Sequence, residues 1–222
     1  MVTVDIAKKY ANFTAPRTQI FVNDYDIREK YGVSASSVTV EEASGSKAKF
    51  LFSIEDPKCA WIKTGLFELN RPLQIRMGYA NTLETVINGE ITSVKSIFPA
   101  NGPPQIEVSG NASKASVAVR VAKNSSIYSL VYGKTLYSFS FTAAVEEQKN
   151  IRKVSTAKPQ TSNVQCTAEC VGLPDIKPGE MVVLAGLATR FNQTYQVEKV
   201  THSIDSSGYR TRFEARMKTR TK

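Results

Sequence analysis

The sequence predicts a mainly all-β protein of two small antiparallel β-barrels with short helical connections. Three observations carry this. Short runs rich in Val, Ile, Phe and Tyr recur along the chain, and many alternate apolar with polar positions as half-buried strands do. Gly, Pro, Asn and Asp clusters separate them at close spacing and set the turns. The runs fall into two groups, 18–113 and 127–218, each of a size that suits a small barrel. The remaining chain is read as an N-terminal arm (1–17), a connector (114–126) and a basic tail (219–222).

Residues 1–17 are polar and are expected to lie outside a core. Thr18 to Val22 is a strand, followed by an Asn23-Asp24 turn. Ser37 to Glu42 alternates, turns at Ala43-Ser44-Gly45-Ser46 and returns as Lys47 to Ile54, a hairpin. Asp56 is placed as the N-cap of a short helix with Pro57 in its first turn, so that Trp61, Ile62 and Leu66 plug the core. Pro72 to Tyr79 is a strand. Thr85 to Phe98 reads as two strands or as one long bent strand, because Asn88-Gly89 suits either a hairpin turn or a bulge. Gln105 to Gly110 closes the first group.

Lys114 to Lys123 is compatible with strand or helix, and Ser125-Ser126 with the cap of a helical turn over Ile127 to Leu130. Leu136 to Ala144 is a strand that sets Tyr137, Phe139 and Phe141 opposite Leu136, Ser138 and Ser140; these aromatics, with Tyr128 and Tyr132, fit core packing better than a base-stacking surface. Glu146 to Lys149 is a turn or edge, and Thr156 to Ser162 a loop by composition. Asn163 to Val171 leads into Met181 to Leu184, Thr194 to Val200 and Tyr209 to Arg216. The turns between them use Gly172, Pro174, Pro178, Gly179, Gly186, Asp205 and Gly208.

The chain has 222 residues, 41% hydrophobic and 22% charged, ordinary for a globular protein. No apolar run approaches the roughly 20 residues that span a bilayer, and the N-terminus lacks the pattern of a secretion signal. Three unpaired cysteines, Cys59, Cys166 and Cys170, suggest reduced thiols in a cytosolic setting. The net charge of +9 lies entirely in residues 114–222, which hold 17 basic and 8 acidic side chains. That asymmetry fits either a polyanion-binding surface or a solvated face with a basic end.

Catalytic, metal and cofactor sites are expected to be absent. His202 is the one histidine and sits in strand rhythm without convergent partners, as a strand histidine packed at an edge or interface does. Cys166 and Cys170 share a strand face but lack the third and fourth ligands zinc requires. No phosphate-binding glycine loop is present. Glu41-Glu42 and Glu146-Glu147 are adjacent and point to opposite faces of a strand, the wrong arrangement for paired carboxylate catalysis.

The run Gly172 to Gly179 (GLPDIKPG), with Val182 to Leu187, Arg190-Phe191, Tyr195 to Val197 and Thr201 to Glu214, closely resembles the C-terminal part of phage late control gene D proteins. These are baseplate hub proteins of contractile tails and related injection systems, similar to the hub part of type VI secretion spike proteins. Phe21 to Ile27, Val38 to Glu41, Phe50 to Pro57, Gly65 to Phe67, Ile75 to Tyr79, Gly89 to Val94 and Ile106 to Gly110 resemble the family's first barrel. The resemblance covers about residues 18–218.

It implies two tudor-like barrels side by side in each chain and a homotrimeric, pseudo-sixfold ring that adapts a sixfold tail tube to a threefold spike. Implied partners are other copies of the chain, the tube protein and the spike protein, with the tape-measure protein as a further contact in the lumen. No membrane and no cofactor are implied, and nucleic acid would meet the ring only in transit. The implied place is the baseplate of a virion or injection particle assembled in the bacterial host cytoplasm. Family members carry extra segments between the barrels; here that span is shortened to 143–161, with Lys149-Asn150-Ile151-Arg152-Lys153 in their place, as in a minimal hub. A basic nucleic-acid-binding pair of barrels is the alternative, and a wall-degrading enzyme finds no acid or base residues to support it.

Overall fold

A computed structural model describes residues 5–113, 127–144 and 163–217. The expected connector (114–126), most of the shortened insert and the basic tail lie outside the described residues. So do Glu146-Glu147 and the Thr156 to Ser162 loop.

The fold is all-β, almost entirely antiparallel. The first group supplies β1 (Pro16–Val22), β2 (Tyr25–Asp26), β3 (Ala35–Ala43), β4 (Lys49–Glu55), β5 (Pro72–Tyr79), β6 (Thr82–Ile97) and β7 (Gln105–Ala112). The second supplies β8 (Ile127–Val131), β9 (Leu136–Ala144), β10 (Asn163–Val171), β11 (Met181–Ala185), β12 (Thr194–Asp205) and β13 (Gly208–Met217). Three short helices accompany them: α1 (Ile6–Lys9), α2 (Ile27–Tyr31) and α3 (Ala60–Lys63). The hydrogen-bonded order is β2-β1-β5-β6-β7-β4-β3-β12-β13-β10-β9, and it does not close into one barrel.

β12 joins the two groups. One edge pairs with β13 along nearly its whole length. The other edge is divided: Thr194 to Gln196 pair with β11, and Lys199 to Ile204 pair with β3. The division falls at a bulge where Glu198 is the extra residue. The bulge preserves burial, because Tyr195 and Val197 before it and Val200 and His202 after it all face inward. Buried residues of both groups form one apolar cluster, from Phe52, Ile75 and Val108 to Leu184, Tyr195 and Phe213.

Several elements differ from the expectation. Thr82–Ile97 is the one long strand of the two expected alternatives, but its irregularities fall at Val86 and Thr92, not at Asn88-Gly89. Gly89 serves another purpose: a Cβ there would press on the Asn111 carbonyl oxygen at 2.6 Å. Ile127 to Leu130 is not a helical turn but part of β8, which pairs in parallel with β11 and buries Tyr128 and Leu130. Pro57 lies in the turn before α3, and Cys59 (φ 49°) precedes the helix directly. Asp56 still caps it, accepting from the N–H groups of Ala60, Trp61 and Ile62 at 2.8, 3.0 and 3.1 Å. α2 has clear punctuation, an Asp26 N-cap and a left-handed Gly32 C-cap, although its hydrophobic period is too short to announce a helix.

In β9 a bulge at Tyr137 changes the parity, because Cys170 faces Leu136 while Glu169 faces Ser138. Leu136 and Phe139 therefore share the inner side, and Tyr137 turns out to solvent under Arg210, whose guanidinium carbon is 4.4 Å from the ring centroid.

The N-terminal segment contributes to the core instead of lying apart from it. Ile6 and Tyr10 are four residues apart and both buried. The following turn holds Ala11, Asn12, Phe13 and Ala15 at φ of 47°, 55°, 61° and 51°. Asn tolerates this region, whereas each of the other three costs on the order of 1–2 kcal/mol.

Gly110 tests the close packing of the β6-β7-β4 face. A Cβ there would overlap the Glu90 carbonyl oxygen and the Phe50 ring. Gly110→Ala is expected to cost about 2–4 kcal/mol, read as a lower urea midpoint at unchanged m-value, while Gly45→Ala, where a Cβ meets open space at φ 76°, should cost only about 1 kcal/mol.

Candidate functional site

The densest polar arrangement is a buried junction where β12, β13, the 172–180 segment and the N-terminus meet. Two β-turns shape the segment. Ile176 N–H donates to the Leu173 carbonyl around Pro174 at 3.1 Å, and Glu180 N–H donates to the Lys177 carbonyl around Pro178-Gly179 at 3.1 Å. Proline suits the second position of each turn, and Gly179 at φ 94° the third position of a type II turn. Gly186 and Gly208 also take positive φ, 79° and 107°. Gly172 acts by absence of bulk: a Cβ would overlap the Tyr209 ring, and its N–H donates to the Tyr209 carbonyl at 3.1 Å. Asp205 accepts from Ser207 N–H and Oγ at 2.7 and 2.6 Å, bonds that hold its carboxyl below the usual range.

His202 is fully buried at the centre. Its Nε2 lies 3.1 Å from the Ile176 carbonyl, which can only accept, so the ring proton is on Nε2. Nδ1 is then the acceptor, 3.0 Å from Thr211 Oγ1 and 3.2 Å from the Tyr209 hydroxyl. Thr211 Oγ1 in turn accepts from Leu173 N–H at 2.8 Å. Burial pushes the imidazole pKa down to about 3, against an upward pull from the Ile176 carbonyl. The ring is neutral, enclosed and fully occupied, so it has no face with which to meet a substrate.

A second layer ties the N-terminus to the same segment. Tyr10 OH donates to Asp175 Oδ2 at 2.6 Å, and Lys9 Nζ reaches both Asp175 oxygens at 2.8 Å and Glu84 Oε1 at 3.0 Å. Burial works to lower the Lys9 pKa, but the Asp175 and Glu84 contacts outweigh it and raise it. Burial, then Asp175, raise that of the Tyr10 hydroxyl. Lys177 Nζ donates to the Thr85 carbonyl at 3.2 Å. Rings continue the path: Tyr10 and Phe13 lie on Tyr79, which lies on Tyr209, with centroids 5.9, 5.6 and 5.7 Å apart. The sequence reading missed Lys9, Tyr10, Tyr79 and Asp175; the Ile6–Tyr10 spacing was the one available sign of an inward face.

Cys166 and Cys170 do share a face and are both buried; burial raises the Cys166 thiol to about 12 and lifts Cys170 as well, so neither is a thiolate at neutral pH. Among the described residues no group of three or more His, Cys, Asp or Glu could hold a metal ion. Glu41 is exposed and Glu42 buried, on opposite faces of β3.

The outer face of the joined sheet is laced with opposite charges. Lys199 pairs with Glu41 at 3.0 Å, Arg216 with Glu198 at 3.1 Å and Arg212 with Glu169 at 2.8 Å. Of the charged side chains in 114–222, those described number seven basic and six acidic; the other ten basic and two acidic lie outside the described residues. A shallow cleft of about 190 Å³ opens between β1, α2 and the start of β3, floored by Ile20, Ile27 and Val33.

No protein-family model matches this sequence, and no curated protein does. Solved structures do match. The tail protein from Neisseria meningitidis MC58 superposes with a TM-score of 0.59 at 8% identity, over 91% of this chain and 96% of that one. The 43 kDa tail protein of prophage MuSo2 from Shewanella oneidensis gives 0.62 at 7% identity, over 90% and 98%. The E. coli c3393 protein, a type VI secretion component with structural similarity to the T4 bacteriophage tail proteins gp27 and gp5, gives 0.57 at 10% identity, over 91% and 77%. At these identities the likeness is one of fold.

His202 makes the junction sensitive to acid. The folded form is the neutral imidazole, whereas the unfolded chain binds a proton near pH 6.5. Its contribution is therefore complete above pH 6.5 and lost as pH falls toward 3, at about 1.4 kcal/mol per unit. Chemical denaturation at pH 7 and pH 5 should show wild type losing about 2 kcal/mol more than His202→Gln over that interval. Equal losses in both proteins would remove His202 as the cause.

Proposed function

We propose that this chain is a structural wall subunit of a phage-type tail or injection particle, the baseplate hub that adapts the tail tube to the spike. One observation carries the reading: a single fold match runs through 90–91% of this chain and nearly all of two tail proteins. The polar groups at the centre of the junction support it, since His202, Thr211 and the Leu173 N–H bond to one another and to backbone instead of lining an accessible site.

In this reading residues 18–113 and 127–218 are the two wall units of each subunit, and three subunits close a pseudo-sixfold ring. Gly172, Pro174, Pro178, Gly179, Gly186, Asp205 and Gly208 fix the turns of the second unit. The tube protein stacks on one face and the spike on the other, the tape-measure protein ends in the lumen, and the role is non-enzymatic. Open strand edges supply a motive for assembly, since β9 at the end of the ladder pairs, among the described residues, with β10 alone.

The basic segments outside the described residues favour a second reading, a nucleic-acid-binding module. Native mass spectrometry of the chain with its tube and spike partners separates the two. A trimer that caps tube rings supports the hub. A chain that stays monomeric with both partners present, yet binds duplex DNA with an affinity falling steeply between 50 and 200 mM salt on the scale of ~10³-fold, supports the module and ends the hub reading.

A further inference from the structure

We propose that residues 5–14 are a strap exchanged between neighbouring copies of this chain, each copy's Lys9 and Tyr10 docking on its neighbour's Asp175. The closed arrangement pairs a strained connector with portable contacts. The groups that anchor Lys9 and Tyr10 lie on the body of the molecule: Asp175 for both, Glu84 for Lys9, and the Tyr79 ring for Tyr10. Any copy presents the same groups, so the contacts survive exchange unchanged.

The connector does not. Ala11, Phe13 and Ala15 are held left-handed so that the chain can reverse between Tyr10 and Pro16. The bonds that hold the connector are few: Phe13 N–H to the Tyr10 carbonyl at 2.7 Å, Thr14 N–H and Oγ1 to the Ala11 carbonyl at 3.3 and 2.8 Å, and Ala80 N–H to the Ala15 carbonyl at 3.0 Å. Opened into an extended link, the three residues return to ordinary φ. A short connector under strain, with no glycine to relieve it, is the arrangement that invites swapping.

The exchange rests on the ring reading only in requiring that copies meet. Light and ¹⁵N-labelled full-length chains are mixed in urea and refolded together at equal amounts. A carbodiimide then joins the Lys9 amine to the Asp175 carboxyl, and mass spectrometry reads the linked peptides. Exchange predicts that about half of them carry one light and one heavy partner. Links of uniform label only, in a protein that is oligomeric by native mass spectrometry, overturn the exchange and leave the ring standing. A strict monomer overturns both, and mixed links in a dimer keep the exchange and end the threefold ring. The double variant Ala11→Gly, Ala15→Gly relaxes the closed connector and is expected to lower the mixed share several-fold; an unchanged share, or no Lys9–Asp175 link in any form, also overturns the proposal.

Discussion

The structure depends on β12 having two strands on one edge. Thr194 to Gln196 bond to β11 and Lys199 to Ile204 to β3, and one extra residue, Glu198, separates the two pairings. Without that bulge the side-chain period of two would send either Tyr195 and Val197 or Val200 and His202 to the solvent face. With it, one strand serves both groups of strands with its apolar side always inward. The ladder can then pass from β3 to β13 without a break.

The seam alone would leave the ends of the two groups free to splay, and the buried junction closes one of them. His202, Thr211 and Leu173 bind the 172–180 segment to β12 and β13, while Asp175 and Lys177 carry it across to Lys9, Tyr10 and Thr85. His202 and Thr211, fully buried at the junction's centre, are expensive to leave unpaired, so the arrangement tolerates little rearrangement. A histidine in a β protein of this kind invites a catalytic reading. Its surroundings give it the opposite role, a neutral cross-brace whose two nitrogens are both committed.

Charge follows a different logic from burial. On the described surface of the second group, cations and anions alternate across neighbouring strands and nearly cancel, whereas the excess lies in segments beyond it. Exposed pairs of this kind add little stability individually. Their effect is to leave the sheet's outer face without a strong field of either sign. The wall reading and the basic segments are therefore separable properties of the same chain.

The sequence by itself determined the class and most of the strands. β5, β9 and β10 lie where their alternation and flanking turns place them, and Pro174, Pro178 and Gly179 announced their turns because φ preference is a local property. The likeness to tail-hub sequences also pointed toward the fold later matched in tail proteins. Where choice depended on a distant partner, sequence could not decide. Ile127 to Leu130 became a strand because β11 was available beside it, and the two residues that bulge in β6, Val86 against β5 and Thr92 against β7, were set by those registers rather than by Asn88-Gly89. Tyr10 was drawn inward by a carboxylate 165 positions away. Pairing, parity at a bulge and the partner of a buried hydroxyl are properties of two segments at once, so only the tertiary structure could supply them.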